Sequence, residues 1–384
     1  MNRDDRSTRT TRRHVLGVLG TAATTAVAGC GYREAAGDPV WRQTETRNNT
    51  SAAGDLVLLS TSGIGDTVEG ASYVNVLDAA TGRAQMDVYT EDSAGAAILG
   101  DEVLYFTTEG ERLLVDDEPV TDTNGTDAVH DELFAIDGTD VVRRGRFEID
   151  VNAVAEGPET TYVVTHDGLV ALEKGGGRRF SVAYPWERVY GLGVAASADG
   201  CAVLTGETAQ RVVAIAPDGA ERWRTDARFA ASATVEMVEN AVFVHEPPVP
   251  EFDVEPAMTA FDATSGEPLS FGVPTPHDAV VPTNRGDVYV VSAGVLYAVD
   301  VAERRVRWRF PAEQDSPLGV PKVSGPPVHT ADSVVVPTDG KTHELAATDG
   351  AVRWRRRFPE QELVGAFEDR LVVADPGLLV GRRR

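Results

Sequence analysis

The sequence predicts an all-β fold, an eight-bladed β-propeller of four-stranded antiparallel blades, with a seven-bladed ring as the alternative. Three observations lead there. A β-rich unit recurs about every 45 residues, as expected when each repeat is one blade. Four of the five tryptophans fall in one slot of that unit. The chain ends are also complementary, three strands at one and a single strand at the other.

The repeat is visible where a strand meets its turn. VNVLDAATGRAQM carries Asp78 and Met86, MTAFDATSGEPLS carries Asp262 and Ser270, and VLYAVDVAERRVRW carries Asp300 and Trp308. Each pair is eight residues apart. A form one residue shorter is read in VVAIAPDGAERW (Ala216, Trp223) and HELAATDGAVRW (Ala347, Trp354). Degenerate copies sit at Asp137 and Glu173. Seven anchors therefore run from 78 to 347, six intervals of about 45 residues.

Within the sixth copy, DVYVVS is an apolar run suited to a strand covered on both faces. VLYAVD follows it after a tight turn. VRWRF then alternates, which places Val306, Trp308 and Phe310 on one face and Arg305, Arg307 and Arg309 on the wet side of an outermost strand. After the seventh copy come QELVGAF, RLVVAD and GLLVG, with no fourth strand. DPVWRQT, at residues 38–44, supplies it and brings Trp41 into the tryptophan slot. Such a pairing closes the ring and removes exposed edges. A tryptophan that recurs once per blade is a packing device, because its 150–250 Å² of surface can seal one blade to the next. Trp41, Trp223, Trp308 and Trp354 are assigned that role; Trp186 is not.

The N-terminus is a different kind of segment. Five arginines and two aspartates precede a weakly apolar run from Val15 to Gly29. That run is too short to stay in a bilayer and reads as a signal peptide over residues 1–29. Paired Arg12 and Arg13 resemble a twin-arginine export signal. VAGC resembles a lipobox, making Cys30 the lipid-bearing residue, followed by a tether over 30–37 and the propeller over 38–384. The expected location is the cell membrane, lipid-anchored and facing outside the cytoplasm.

Composition narrows the function. Sixty acidic against 36 basic residues give −24, and only three of the basic residues are lysines. Nucleic-acid binding needs a basic footprint and is excluded. An acidic surface of this size suits a high-salt environment, where screening relieves self-repulsion. The second cysteine, Cys201, has no intrachain partner once Cys30 is lipidated, and reads as a small buried hydrophobe.

The repeat resembles the pyrroloquinoline-quinone-like propeller motif, roughly A-x-D-x-x-T-G-x-x-x-W, best kept at Asp78, Asp262 and Asp300. This resemblance implies a family holding both quinone-dependent alcohol dehydrogenases and non-catalytic relatives, among them the lipoprotein subunit of the bacterial outer-membrane assembly machine. In that family the tryptophan docks between blades, so Met86 and Ser270 imply looser contacts. The dehydrogenases carry adjacent cysteines and a calcium cluster beside the quinone, and neither pattern occurs here. No cofactor and no catalytic residue are assigned.

Other chemistry is sparse. The six histidines after the leader show no metal-like spacing. His166 and His245 each follow a second strand and sit beside an acid. Asp122, Asn124 and Asp127, in the acidic stretch 116–132, offer oxygen ligands without the spacing of a calcium loop, so that stretch reads as a solvated loop. It joins the second and third strands of its blade, as do 63–72 and 247–256. Loops on a rigid scaffold carry recognition. The expected function is a non-enzymatic, monomeric binding or scaffold module whose face near Asp122, Asn124, Asp127, His166 and His245 meets a protein partner or a surface glycan. A quinoprotein oxidoreductase and a solute- or polysaccharide-binding surface protein are the alternatives.

Overall fold

The computed structural model describes residues 39–383 apart from 45–48, 54–55, 62–72, 91–96, 100–103, 110–112, 116–117, 120–130, 138–139, 148–150, 166, 176, 184–192, 207–209, 247–256, 284–285, 312–321, 340, 358–361, 368–369 and 376–377. Cys30, Arg12, Arg13, Asp122, Asn124, Asp127, His166 and Trp186 lie outside the described residues.

Alternation of apolar and turn-forming segments produces eight antiparallel sheets among the described residues, seven with four strands and one with six. In chain order they occupy 49–119, 97–147, 151–183, 194–224, 234–269, 279–310, 328–356 and 362–383, the first and second interleaving. The irregular second copy forms a complete sheet from Ala97–Leu99, Leu104–Glu109, Asp131–Asp137 and Asp140–Phe147. Strands in sheets two to seven are ordered first to fourth as the chain runs. The eighth sheet consists of Glu362–Ala366, Arg370–Asp375 and Leu378–Arg383, and its fourth strand is Pro39–Thr44 from the other end of the chain. Trp41 stands opposite Gly381 in that pairing.

The middle strands are buried on both faces because both face other sheets. Thr160–Thr165 and Gly200–Thr205 are buried at every position. Among the described residues, six of the sheet-to-sheet interfaces have an apolar cluster of their own. One joins the third and fourth sheets through Tyr162, Leu169, Cys201 and Ile215, another the sixth and seventh through Leu296, Trp308, Val334 and Leu345. The eighth packs on the first through Val372, Phe367, Leu59 and Leu77.

Three readings of the sequence need correction. The acidic stretch after residue 112 is not all loop: Leu113–Val115 pairs with the first sheet's fourth strand, Ala84–Thr90, and Glu118–Pro119 pairs with it in turn. The seventh repeat is not shortened. Gly350 N donates to Ala346 O just as Gly82 N donates to Asp78 O and Gly266 N to Asp262 O. The anchor is thus Ala346, eight residues before Trp354, while Ala216 heads a truly tighter turn closed by Gly219 N.

The third correction concerns the outer strands. Trp308 faces Ala298 while Val306 faces Val299, so Arg307 is a bulged extra residue. A bulge reverses the side-chain alternation. Val306 accordingly packs toward the fifth sheet, and Trp308 and Phe310 toward the seventh. The same irregularity precedes Met86, Phe180, Trp223 and Trp354.

Candidate functional site

The recurring turn explains the motif residue by residue. Asp78 Oδ1 accepts from Thr81 N and Thr81 Oγ1 at 2.6 and 2.7 Å, and Asp262 Oδ1 from Thr264 N, Ser265 N and Ser265 Oγ. Asp300 Oδ1 accepts from Glu303 N. These bonds hold all three carboxyls below the usual carboxylate value, led by Thr81 for Asp78, Ser265 for Asp262 and Glu303 for Asp300. Where the anchor is alanine, the carboxylate moves forward: Asp349 and Asp218 accept from Ala351 N and Ala220 N.

Each described turn receives a side chain from the preceding sheet. Trp41 Nε1 donates to Ala79 O, Trp223 Nε1 to Ala263 O and Trp308 Nε1 to Ala347 O, all at 2.9 Å. The indoles lie flat on Gly82, Gly266 and Gly350; a Cβ on Gly350 would sit 2.7 Å from Trp308 Cε3. The same turn position in the sixth sheet is Arg304, held at φ 53°. The fifth sheet offers Ser270 there, and no indole covers it. Its slot is filled one residue later by Phe271, buried and stacked on Phe243. Met86 is also buried, and Phe180 rests on Gly219. Phe271 thus fills the fifth sheet's slot, so the looser contact inferred from Ser270 does not arise there. Trp354 is half-buried; the eighth sheet has no third-to-fourth turn, because its fourth strand comes from Pro39–Thr44.

At the bulge an exposed outer-strand arginine pairs across its own sheet. Arg307 reaches Asp287 at 2.7 Å and Asp300 at 3.0 Å, and Arg353 reaches Asp332 at 2.8 Å and Glu344 at 3.5 Å. Arg307 is thus on the exposed side, as the sequence has it, and is also a cross-strand tie.

The opposite end of each sheet carries the second-to-third connections and the links to the next sheet, since neighbouring strands are antiparallel. Polar side chains lace the fourth, fifth and sixth sheets together at this end. Glu246 Oε1 accepts from Ala230 N at 2.9 Å, and His245 Nε2 contacts His277 O at 3.1 Å. His277 Nδ1 accepts from Met258 N at 3.0 Å, which fixes the proton of the neutral ring on Nε2. Ser292 Oγ donates to Pro274 O. Burial is the main reason His277 titrates below the usual imidazole value. Both amide atoms of the fully buried Gln210 reach no partner among the described residues, a state uncommon in a native fold, while the His277 ring also interacts with the Val273 backbone, which opposes the effect of burial. Sequence reasoning singled out His245 but passed over His277 and Gln210. Their signal is burial, which spacing does not carry. Among the described residues no three His, Cys, Asp or Glu side chains converge as a metal site requires.

A family model described as outer membrane protein assembly factor BamB matches residues 165–270 and again 270–382, more than half of the chain. The chain belongs to the BamB family. Its four-stranded sheets are blades of that family's quinone-type propeller repeat. Among solved structures, BamB from Moraxella catarrhalis is 14% identical, with 90% of this chain and 99% of that one covered at a TM-score of 0.49. Apo AztD from Citrobacter koseri is 13% identical, covering 75% and 92% at 0.38, and a second AztD structure scores 0.33 over the same shares. No curated protein sequence matches.

Proposed function

We propose that this BamB-family chain is a non-enzymatic, lipid-anchored, extracytoplasmic propeller of eight blades that binds a protein partner through the end bearing its long second-to-third connections. Pairing of Pro39–Thr44 with Leu378–Arg383 supports a closed ring. Indole-on-glycine contacts support Trp41, Trp223 and Trp308 as its joints, and Trp354 is assigned the same role from its place in the repeat. Residues 1–29, with Arg12 and Arg13, serve export; Cys30 carries the lipid, and 30–37 form the tether.

The family description, an assembly factor, supports partner binding over catalysis. The cysteine inventory agrees: no two are adjacent, and Cys201 is fully buried. The observation that carries the reading is positional. Connections 62–72, 110–130 and 247–256 all join a second to a third strand, so they leave their sheets at the end where His245, His277 and Gln210 lie. That face, including Asp122, Asn124, Asp127 and His166, is the recognition surface.

The test is deletion of residues 120–130, which spares the paired strand Glu118–Pro119. Cross-linking capture from the native membrane in high salt should lose its principal protein with this deletion, while thermal unfolding stays within a few degrees of the parent. Undiminished capture refutes the assignment of the face. Retention on a glycan array with no protein captured favours a surface polysaccharide instead.

A further inference from the structure

Basic charge is not spread evenly over this acidic chain. Six of the eight fourth strands, DVVRRGRF, RRFSVA, ERWR, RVRWRF, VRWRR and PVWRQT, contain 14 arginines and two carboxylates, whereas the whole chain has 60 acids against 36 bases. These strands are the outer edges of their sheets, so one side of each backbone is outside the ladder. The first sheet is the exception on both counts. Its fourth strand, AQMDVYT, has no arginine, and its edge is already covered by Leu113–Val115 and Glu118–Pro119. Six of the seven uncovered fourth-strand edges thus carry arginine, the two-residue Pro268–Leu269 of the fifth sheet being the one that does not, and the first sheet shows that an outer edge accepts an added strand.

The sixth and seventh sheets carry the densest group. Arg307 and Arg353 pair with carboxylates of their own sheets, but Arg309, Arg355, Arg356 and Arg357 are exposed and pair with no carboxylate among the described residues. Like charges facing each other across a ladder oppose pairing, so two copies of this edge repel. An extended acidic strand meets the reverse situation.

We propose that the outer edge of the seventh sheet, Val352–Arg356, accepts an extended acidic segment of a partner protein as an added strand, with Arg355 and Arg357, two residues apart, pairing its alternate carboxylates. Main-chain bonds supply the affinity and the arginines select the sequence, as in other strand-addition complexes. This surface is separate from the loop-bearing end, so either assignment can fail without the other.

The probe is a fluorescent octapeptide of alternating Glu and Val, titrated against the full chain by anisotropy over salt concentrations at which circular dichroism shows the fold intact. Saturable binding that weakens with salt is expected. Replacing Arg355 and Arg357 together by Glu should weaken it at least about tenfold, Lys at the same two positions should retain most of it, and deletion of 120–130 should leave it unchanged. N-methylation of alternate peptide amides should also weaken it about tenfold, an arm that needs no protein variant. Absence of saturable binding, or equal binding of the N-methylated peptide, overturns the proposal. The second result would make the arginines a general anion surface that only guards the edge.

Discussion

Replacing Trp308 by alanine tests the joint between the sixth and seventh sheets. The indole is 8% exposed, packs 5.9 Å from the Tyr289 ring and shares a cluster with Val334 and Leu345 of the next sheet. Buried Trp-to-Ala changes cost about 3–5 kcal/mol, and the acceptor orphaned on Ala347 adds about 1 kcal/mol, so about 4–6 kcal/mol is expected. Trp308→Phe keeps most of the apolar surface and should lose only about 1–2 kcal/mol. Gly350→Ala supplies the decisive comparison. Alanine at φ 71° costs about 1 kcal/mol, and its Cβ pressed on the indole adds about 1–3 kcal/mol of overpacking. With Trp308 already alanine only the backbone cost remains. The double variant should therefore be more stable than the sum of the singles by about 1–2 kcal/mol. Denaturant midpoints followed by far-ultraviolet circular dichroism at one salt concentration report all four proteins. A loss below about 1 kcal/mol for Trp308→Ala, or strict additivity with Gly350→Ala, would refute the contact as described.

Acid should loosen the repeated turns. Asp78, Asp262 and Asp300 titrate below their usual 3.8, so the stability they lend is present above that value and lost as pH falls through the lowered one. Asp300→Asn should flatten the fall of the urea midpoint between about pH 5 and 3; an unaltered slope would discount the turn bonds. His277 acts in a higher window. Its value lies below 6.5, with burial leading, His245 adding to the shift and Asp278 opposing it. The stability it lends is complete above about 6.5 and declines below that as the unfolded ring takes up a proton. His277→Asn, which keeps a short acceptor, should remove that decline in a pH series of thermal unfolding. Cys201 is buried and its thiol titrates well above the ordinary value. Intact-mass analysis should show no iodoacetamide addition at that residue at pH 8 until denaturant is added.

Much of the fold is legible because repetition multiplies weak signals. One Asp-turn-Trp unit is a common accident; the same unit at Asp78, Asp262 and Asp300 is an architecture. Trp41 betrayed the strand pairing between the two ends of the chain, since its slot had no other owner. The bulge was not legible, because Arg305 to Phe310 alternates perfectly in letters while the backbone slips by one residue at Arg307. Hence the pairing of Arg307 with Asp287 and Asp300 was missed. Register at the seventh turn was ambiguous for a local reason: Ala346 and Ala347 are identical, and only the Gly350 N–H tells them apart. The loop-bearing end was located by connection order alone. His277 and Gln210 could not be ranked there, because their distinction is burial in three dimensions.

The eighth sheet draws its strands from both ends of the chain, and that sets a timetable. Pro39–Thr44 is among the first strands synthesised, yet its partner, Leu378–Arg383, is the last. Throughout elongation the early strand must wait, as the loop to be closed exceeds three hundred residues, and contacts so distant in sequence form slowly. The other seven sheets can assemble in order from local pairings. Trp41 cannot settle onto Gly82 until the final strand arrives, so loss of those last residues would leave the earliest one unhoused. Until Leu378–Arg383 is made, the strand Pro39–Thr44 has no partner for its backbone groups.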